Sequence, residues 1–267
     1  MVGSIDRQAR PESIPIEMHF DGPQPNHFGA IRASAQPMRA GDFIGDTRQG
    51  GSCNAQDITF NPHCNGTHTE SISHVLDELM PPHQVLNNPL MQAQLITLKP
   101  RPWSALSGGN NSYQPTPEQH DLLLCKENLT VALNHLHKNT KALIIRTLPN
   151  SENKLTWAYG ADVQPAFFTH EAMLWLATET QIDHLLVDLP SVDRLDDGGL
   201  LSNHRLFWNI KPGVHQHHEQ QWSHKTITEM VYVPNHLKDG TYGLSLQLPR
   251  LNLDAVPSNP LLYPVVT

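Results

Sequence analysis

Cysteine is scarce in this 267-residue chain: Cys53, Cys64 and Cys125 are an odd number with no Cys-x-x-Cys pair. That excludes a disulfide framework and makes a reducing cytoplasm the default compartment. Charge is thin as well. Asp, Glu, Lys and Arg make up 16% of the residues and the net charge is −8, with no Lys/Arg cluster to offset it, so a nucleic-acid partner is not expected. No apolar run reaches membrane-spanning length, and Met1 to Glu12 lacks the apolar core of a signal peptide, so no membrane association is expected either. Internal repeats, low-complexity segments and a Gly-x-Ser-x-Gly elbow are all missing. What stands out is histidine (17) and proline (22), beside an apolar fraction of 38% that is ample for a core.

The length suits a single domain over residues 14–267, preceded by a polar, flexible N-terminal tail over residues 1–13. Ile14 to Phe20 alternates as a first strand. Residues 21–50, dense in Gly, Pro, Asn and Asp, read as a long ordered loop of the kind that covers a site, with His19, His27 and Phe28 placed to line a pocket. Cys53 to Phe60 reads as a strand. After Thr69, the positions Ile72, Val75, Leu76 and Leu79 recur at helical spacing until Pro81-Pro82, and Glu118 to His137 reads as helical in part. Ala142–Thr147 and His184–Asp188 are strands around a helix that Thr169 caps, a succession that implies a right-handed crossover and a partly parallel α/β core. Tyr242 to Leu248 alternates as a closing strand.

The chemistry concentrates in Asn61-Pro62-His63-Cys64-Asn65-Gly66-Thr67-His68-Thr69-Glu70-Ser71-Ile72-Ser73-His74. Imidazole mixed with carboxylate is the donor set of a catalytic rather than a structural metal site. Gly66 allows a sharp fold that returns His63 toward His68. If the following segment is extended, His68 and Glu70 share a face. If a helix starts near Thr69, His74 lies one turn past Glu70. Either way the four side chains converge.

This stretch resembles the His-x-Gly-Thr-His-x-Asp-x-x-x-His signature of the cyclase or kynurenine-formamidase-like metal hydrolases, whose relatives include isatin hydrolases. Gly66-Thr67-His68-Thr69-Glu70 and His74 match its core. Two positions depart from it: Cys64 stands where the family has its first histidine, with His63 one residue earlier, and Glu70 replaces the aspartate. His63 is taken as the ligand and Cys64 as a possible alternative metal ligand. Asp188-Leu189-Pro190-Ser191-Val192-Asp193 resembles the family's second signature, after which His204 and Glu229 match a later histidine and glutamate. His215-Gln216-His217-His218-Glu219 reads as an insert with exposed histidines, and Trp222 denies it the second histidine of a His-Glu-x-x-His motif.

The resemblance implies the swivelling β/β/α domain of that family, an α/β fold with a mixed sheet and flanking helices, and a homodimer. It implies a hydrolase in which one or two Zn or Mn ions activate water against a C–N bond of an amide, formamide (as in an arylformamidase) or cyclic amide. His63, His68, Glu70, His204 and Glu229 would be the metal ligands, His74 the catalytic acid and base, and Phe28 and Trp103 part of the pocket for a small-molecule amide. Two other readings stay open: a non-catalytic metal- or ligand-binding member of the same fold, and a serine hydrolase built on Ser191.

Overall fold

The computed structural model describes residues 4–6, 8–106, 111–160 and 162–266. Nine strands form the main sheet among these residues: β1 Glu12–Ser13, β2 His68–Glu70, β3 Leu90–Leu98, β4 Ala142–Thr147, β5 His184–Val187, β6 Thr226–Glu229, β7 Gly240–Gln247, β8 Ala255–Pro257 and β9 Asn259–Tyr263. Their spatial order is β8-β2-β6-β5-β4-β3-β7-β9-β1. The β3-β4-β5-β6 block is parallel, and every strand outside it pairs antiparallel. The apolar run Ala142-Leu143-Ile144-Ile145 of β4 follows from its place, since a central parallel strand is covered on both faces.

Alternation along the strands sorts residues into two cores. On one face Leu143, Ile145, Leu185, Val187 and Ile227 pack against Leu129, Met173, Leu176, Phe207 and Trp208. The last five come from the crossover helices Lys126–Ala132, His170–Glu179 and Ser202–Trp208. On the other face Leu95, Ile144 and Leu186 meet Leu244, Leu246 and Leu262 from the far strands of the same sheet, with Ile14 and Val231. The sheet curls until Pro15 bridges to Val231, just beyond β6. Among the described residues no helix is long and apolar enough to cross a membrane.

Several local expectations are revised. The first strand is only Glu12–Ser13, and Ser4–Ile5 pairs with Val265–Val266, so the segment expected as a flexible tail is tied to the body at two points. Residues 1–3 and 7 of it lie outside the described residues. Within the long loop, Ser34–Pro37 pairs with Gln56–Thr59, and the latter is exposed throughout. The helix expected after Thr69 is a single 3-10 turn, Ile72–His74. Side chains compete there with helical bonding: Ser71 Oγ accepts from Ser73 N, and Ser73 Oγ accepts from Met80 N while donating to the Glu78 carbonyl. Glu118 to His137 divides into a strand, Leu122–Leu124, and the short helix Lys126–Ala132.

Candidate metal centre

The centre forms where β2 lies between β6 and β8. His68 and Glu70, two apart on an extended strand, point to one side and are wholly buried. The register sets His68 opposite Glu229, and His68 Nε2 lies 3.4 Å from Glu229 Oε2. Asn61 caps the short helix Pro62–Asn65, which turns His63 inward to bring Nδ1 within 3.3 Å of Glu70 Oε2. The 3-10 turn delivers His74 Nε2 to 3.8 Å from the same oxygen. His204, on helix Ser202–Trp208, brings Nε2 to 2.9 Å from Glu70 Oε1 and 3.6 Å from Glu229 Oε1.

The outer nitrogens of these rings are committed. His68 Nδ1 lies 2.9 Å from the Gly66 carbonyl, which can only accept, so this nitrogen carries the proton. His204 Nδ1 donates to Asp193 at 2.7 Å and His63 Nε2 to Asp254 at 2.8 Å, with His74 Nδ1 at 3.4 Å from the same Asp254 oxygen. The inner nitrogens are left facing carboxylate oxygens. His68 Nε2, His204 Nε2 and both Glu70 oxygens are buried without a hydrogen-bond partner. Neutral imidazoles beside these carboxylates would set lone pair against lone pair unless a proton or a metal cation stands between them; the donor set fits a divalent ion, and backing of each imidazole by an outer acceptor is the usual arrangement around one. Two overlapping groups have ligand atoms within 4.8 Å of one another: His63, Glu70 and His74, and His68, Glu70 and Glu229. Glu70 belongs to both.

Electrostatics express the same crowding. Burial works against charge on His63, but Asp254 and Glu70 outweigh it and push its pKa up to about 10. Burial opposes charge on His204 too, yet Glu70, Asp193 and Glu229 hold it well above the usual imidazole range. Burial pushes the Glu70 and Glu229 carboxyls up, and Glu70 adds to this at Glu229, but the surrounding histidines hold both below the ordinary value. His27 behaves oppositely: burial takes it down to about 4, and neither ring nitrogen has a partner.

All six residues expected at the centre thus converge, with His74, expected as the catalytic acid and base, facing the same Glu70 oxygen as His63. Cys64 is buried outside both groups, and its thiol is pushed up by burial. Gly66 has an extended backbone (φ 171°), so conformational freedom is not what it supplies; a Cβ there would come 2.8 Å from the Met18 methyl. Phe28 lines the small cavity over the centre, about 70 Å³, together with His27, Pro190, Ser191 and Arg194. Trp103 does not. It packs against a separate cluster of Leu106, Tyr113, Leu123, Cys125 and Phe167, because the strand and turn after Pro100 carry it there. Ser191 Oγ accepts the Asp193 amide, and no histidine bonds to it among the described residues. Asp254 was not foreseen: one aspartate between leucine and alanine carries no signal by itself.

The buried histidine and carboxylate cluster is thus built on the antiparallel strand β2, the carboxyl end of the parallel strand β6 and three short helical segments of an α/β architecture. The profile of the Cyclase family, described as "Putative cyclase", matches residues 13–194, and the chain belongs to that family. Its fold is that of known cyclase-family structures. Isatin hydrolase A from Labrenzia aggregata, bound to benzyl benzoate, aligns with 96% of this chain and 94% of its own at 16% identity and a TM-score of 0.62. A predicted metal-dependent hydrolase from Bacillus stearothermophilus aligns over 95% and 98% at 15% identity and a TM-score of 0.59. Isatin hydrolase A from Ralstonia solanacearum aligns over 97% and 92% at 15% identity and a TM-score of 0.58. At these identities the likeness is one of fold. No curated protein matches the chain by sequence.

Proposed function

We propose that this protein is a metal-dependent hydrolase that opens a C–N bond in an amide, an aryl formamide or a cyclic amide. The observation that carries the reading is the set of buried, unpartnered atoms on His68, Glu70 and His204, all turned toward one point. The hydrolases among its fold relatives add support, and the isatin hydrolases favour a cyclic amide. His68, Glu70 and Glu229 would hold one ion, and His63 with Glu70 would take part in holding another, with His204 in reach of both carboxylates. Nitrogen and oxygen donors of this mixture suit Zn or Mn equally. A divalent ion, when bound, activates water near neutral pH and polarises the substrate carbonyl.

The remaining work falls to the chain. His74 lines the cavity and leans on Asp254, which itself keeps some exposure, so the pair can take a proton from the attacking side and return it to the departing nitrogen. His27, kept neutral, can donate one hydrogen bond to a substrate oxygen. Phe28, 64% exposed and tilted against His27 with ring centroids 4.0 Å apart, offers its face to an aromatic substrate at the mouth. A homodimer accompanies this reading, and the exposed Ile58 on strand Gln56–Thr59 and Ile31, ahead of its partner strand, offer it apolar surface.

The test is elemental analysis of untagged protein beside His68→Ala, followed by a screen of aryl formamides and lactams. One or two equivalents of Zn or Mn, lost in the variant, with turnover in the wild type, is the expected result. Wild type that cannot be loaded sinks the mechanism. The cavity is well below the ~300 Å³ common for small-molecule sites, which favours as second reading a metal-binding relative without chemistry; metal bound with no turnover of any amide would select it.

A further inference from the structure

Helix Ser202–Trp208 separates two sites. His204 faces the metal centre, while Arg205 and Leu206 project from another face into a second cavity of about 490 Å³. That volume lies in the range of small-molecule sites, roughly 300–1,000 Å³. Leu200, Leu206, Ile210 and Pro212 give it apolar walls, and Arg205 is the one lining side chain with a fixed charge.

Arg205 is only 7% exposed. Its Nε donates to the Leu200 carbonyl at 3.1 Å, and its Nη1 to the carbonyls of Lys211 at 3.2 Å and Val214 at 2.8 Å. These bonds clip the loop after the helix, but they are neutral partners. Among the described residues Arg205 has no carboxylate partner, and its Nη2 makes no hydrogen bond. Arg146, the other buried arginine among the described residues, has Asp239 at 3.2 Å. A buried cation without a counter-ion is unfavourable, and a guanidinium edge is suited to a carboxylate. His170 lines the same cavity, and its Nε2 is buried without a partner.

We propose that this cavity is a binding site, separate from the metal centre, for an organic monocarboxylate with an aromatic or branched apolar body. The free Nη2 edge of Arg205 takes the carboxylate, the His170 imidazole supplies a further hydrogen bond, and the apolar walls hold the body. The inference does not rest on the hydrolase reading.

Calorimetric titration with phenylacetate and with its uncharged counterpart 2-phenylethanol tests it. Saturable phenylacetate binding is expected, at least about tenfold tighter than the alcohol, and about tenfold weaker in Arg205→Met. Leu200→Trp narrows the cavity without removing any Arg205 bond, and is expected to weaken binding about fivefold. That variant decides the matter if Arg205→Met does not fold. His68→Ala is expected to bind phenylacetate as wild type does. No saturable binding, equal affinity for the alcohol, or wild-type affinity in the folded cavity variants overturns the proposal. So does loss of binding in His68→Ala with Leu200→Trp unaffected, because the carboxylate would then be sitting on the metal.

Discussion

Asp188 and Glu70 are carboxylates sealed inside the same sheet, and their surroundings could hardly be less alike. Asp188 accepts from Thr147 N and Oγ1, both at 2.8 Å, and from Lys154 Nζ at 2.7 Å. Glu70 is crowded by three histidines and hydrogen-bonded to nothing. The first is a completed ion pair that ties the end of β4 to the end of β5; the second has only titratable histidines around it and, on the proposed function, a metal ion to complete it. Burial of a charged group therefore says little about its role. What distinguishes a structural carboxylate from a site carboxylate is whether the protein's own atoms complete it.

Substitutions can break that contrast. Glu70→Gln is expected to abolish metal retention in elemental analysis and to lower turnover on the order of a thousandfold or more, while the fold survives, since a charge is removed from a crowded cluster. Asp188→Asn strands the Lys154 ammonium and is expected to lower stability by about 3–5 kcal/mol in urea unfolding, with metal per folded molecule unchanged. Equal metal loss in both variants would erase the distinction. Asp254→Asn is the intermediate case, because it loosens His63 and His74 without removing a ligand; metal affinity by competition with a chelator should fall about 10- to 100-fold.

Lys225 sharpens the comparison from the cationic side. It is buried like Lys154, yet its Nζ meets only the carbonyls of Ala177 and Ile182 and the rings of Phe207 and Trp222. Burial takes its pKa down from 10.5 to about 8. Between about pH 8 and 10.5 the unfolded chain keeps this proton while the folded chain sheds it, so stability rises with pH across that window. Unfolding in urea should show wild type gaining on the order of 2 kcal/mol relative to Lys225→Met over that range. His217→Ala, in the exposed insert, should change neither metal content nor stability measurably.

The sequence made the strand-borne ligands legible, because residues two apart on an extended segment share a face and the Gly-Thr-His match located that segment. Of the four parallel strands, β4 and β5 were legible from their compact apolar runs, whereas the Gln92 and Gln94 of β3 and the polar Thr-Ile-Thr-Glu of β6 break that signal. The stretch from Ile72 to Leu79 was not: its helical spacing is real, but Ser71 and Ser73 bond the backbone away from a helix, and Leu79 ends 51% exposed. Trp103 was misplaced because aromaticity carries no direction; its neighbours, not its chemistry, send it to another cluster. Asp193 lay within a recognisable turn, whereas its task of fixing the His204 ring depends on a helix that starts nine residues later. Asp254 and the neutral His27 depend wholly on the folded arrangement.

Asp254 also bears on the order of events at the ribosome. It lies 191 positions after His63, the ring it holds at 2.8 Å. A nascent chain that has already exposed Asn61 to His74 therefore displays histidines without Asp254, the opposing strand or Glu229. On the proposed function, selective metal capture is postponed until Asp254 and the residues of β8 have emerged, and loading becomes an act of the finished fold.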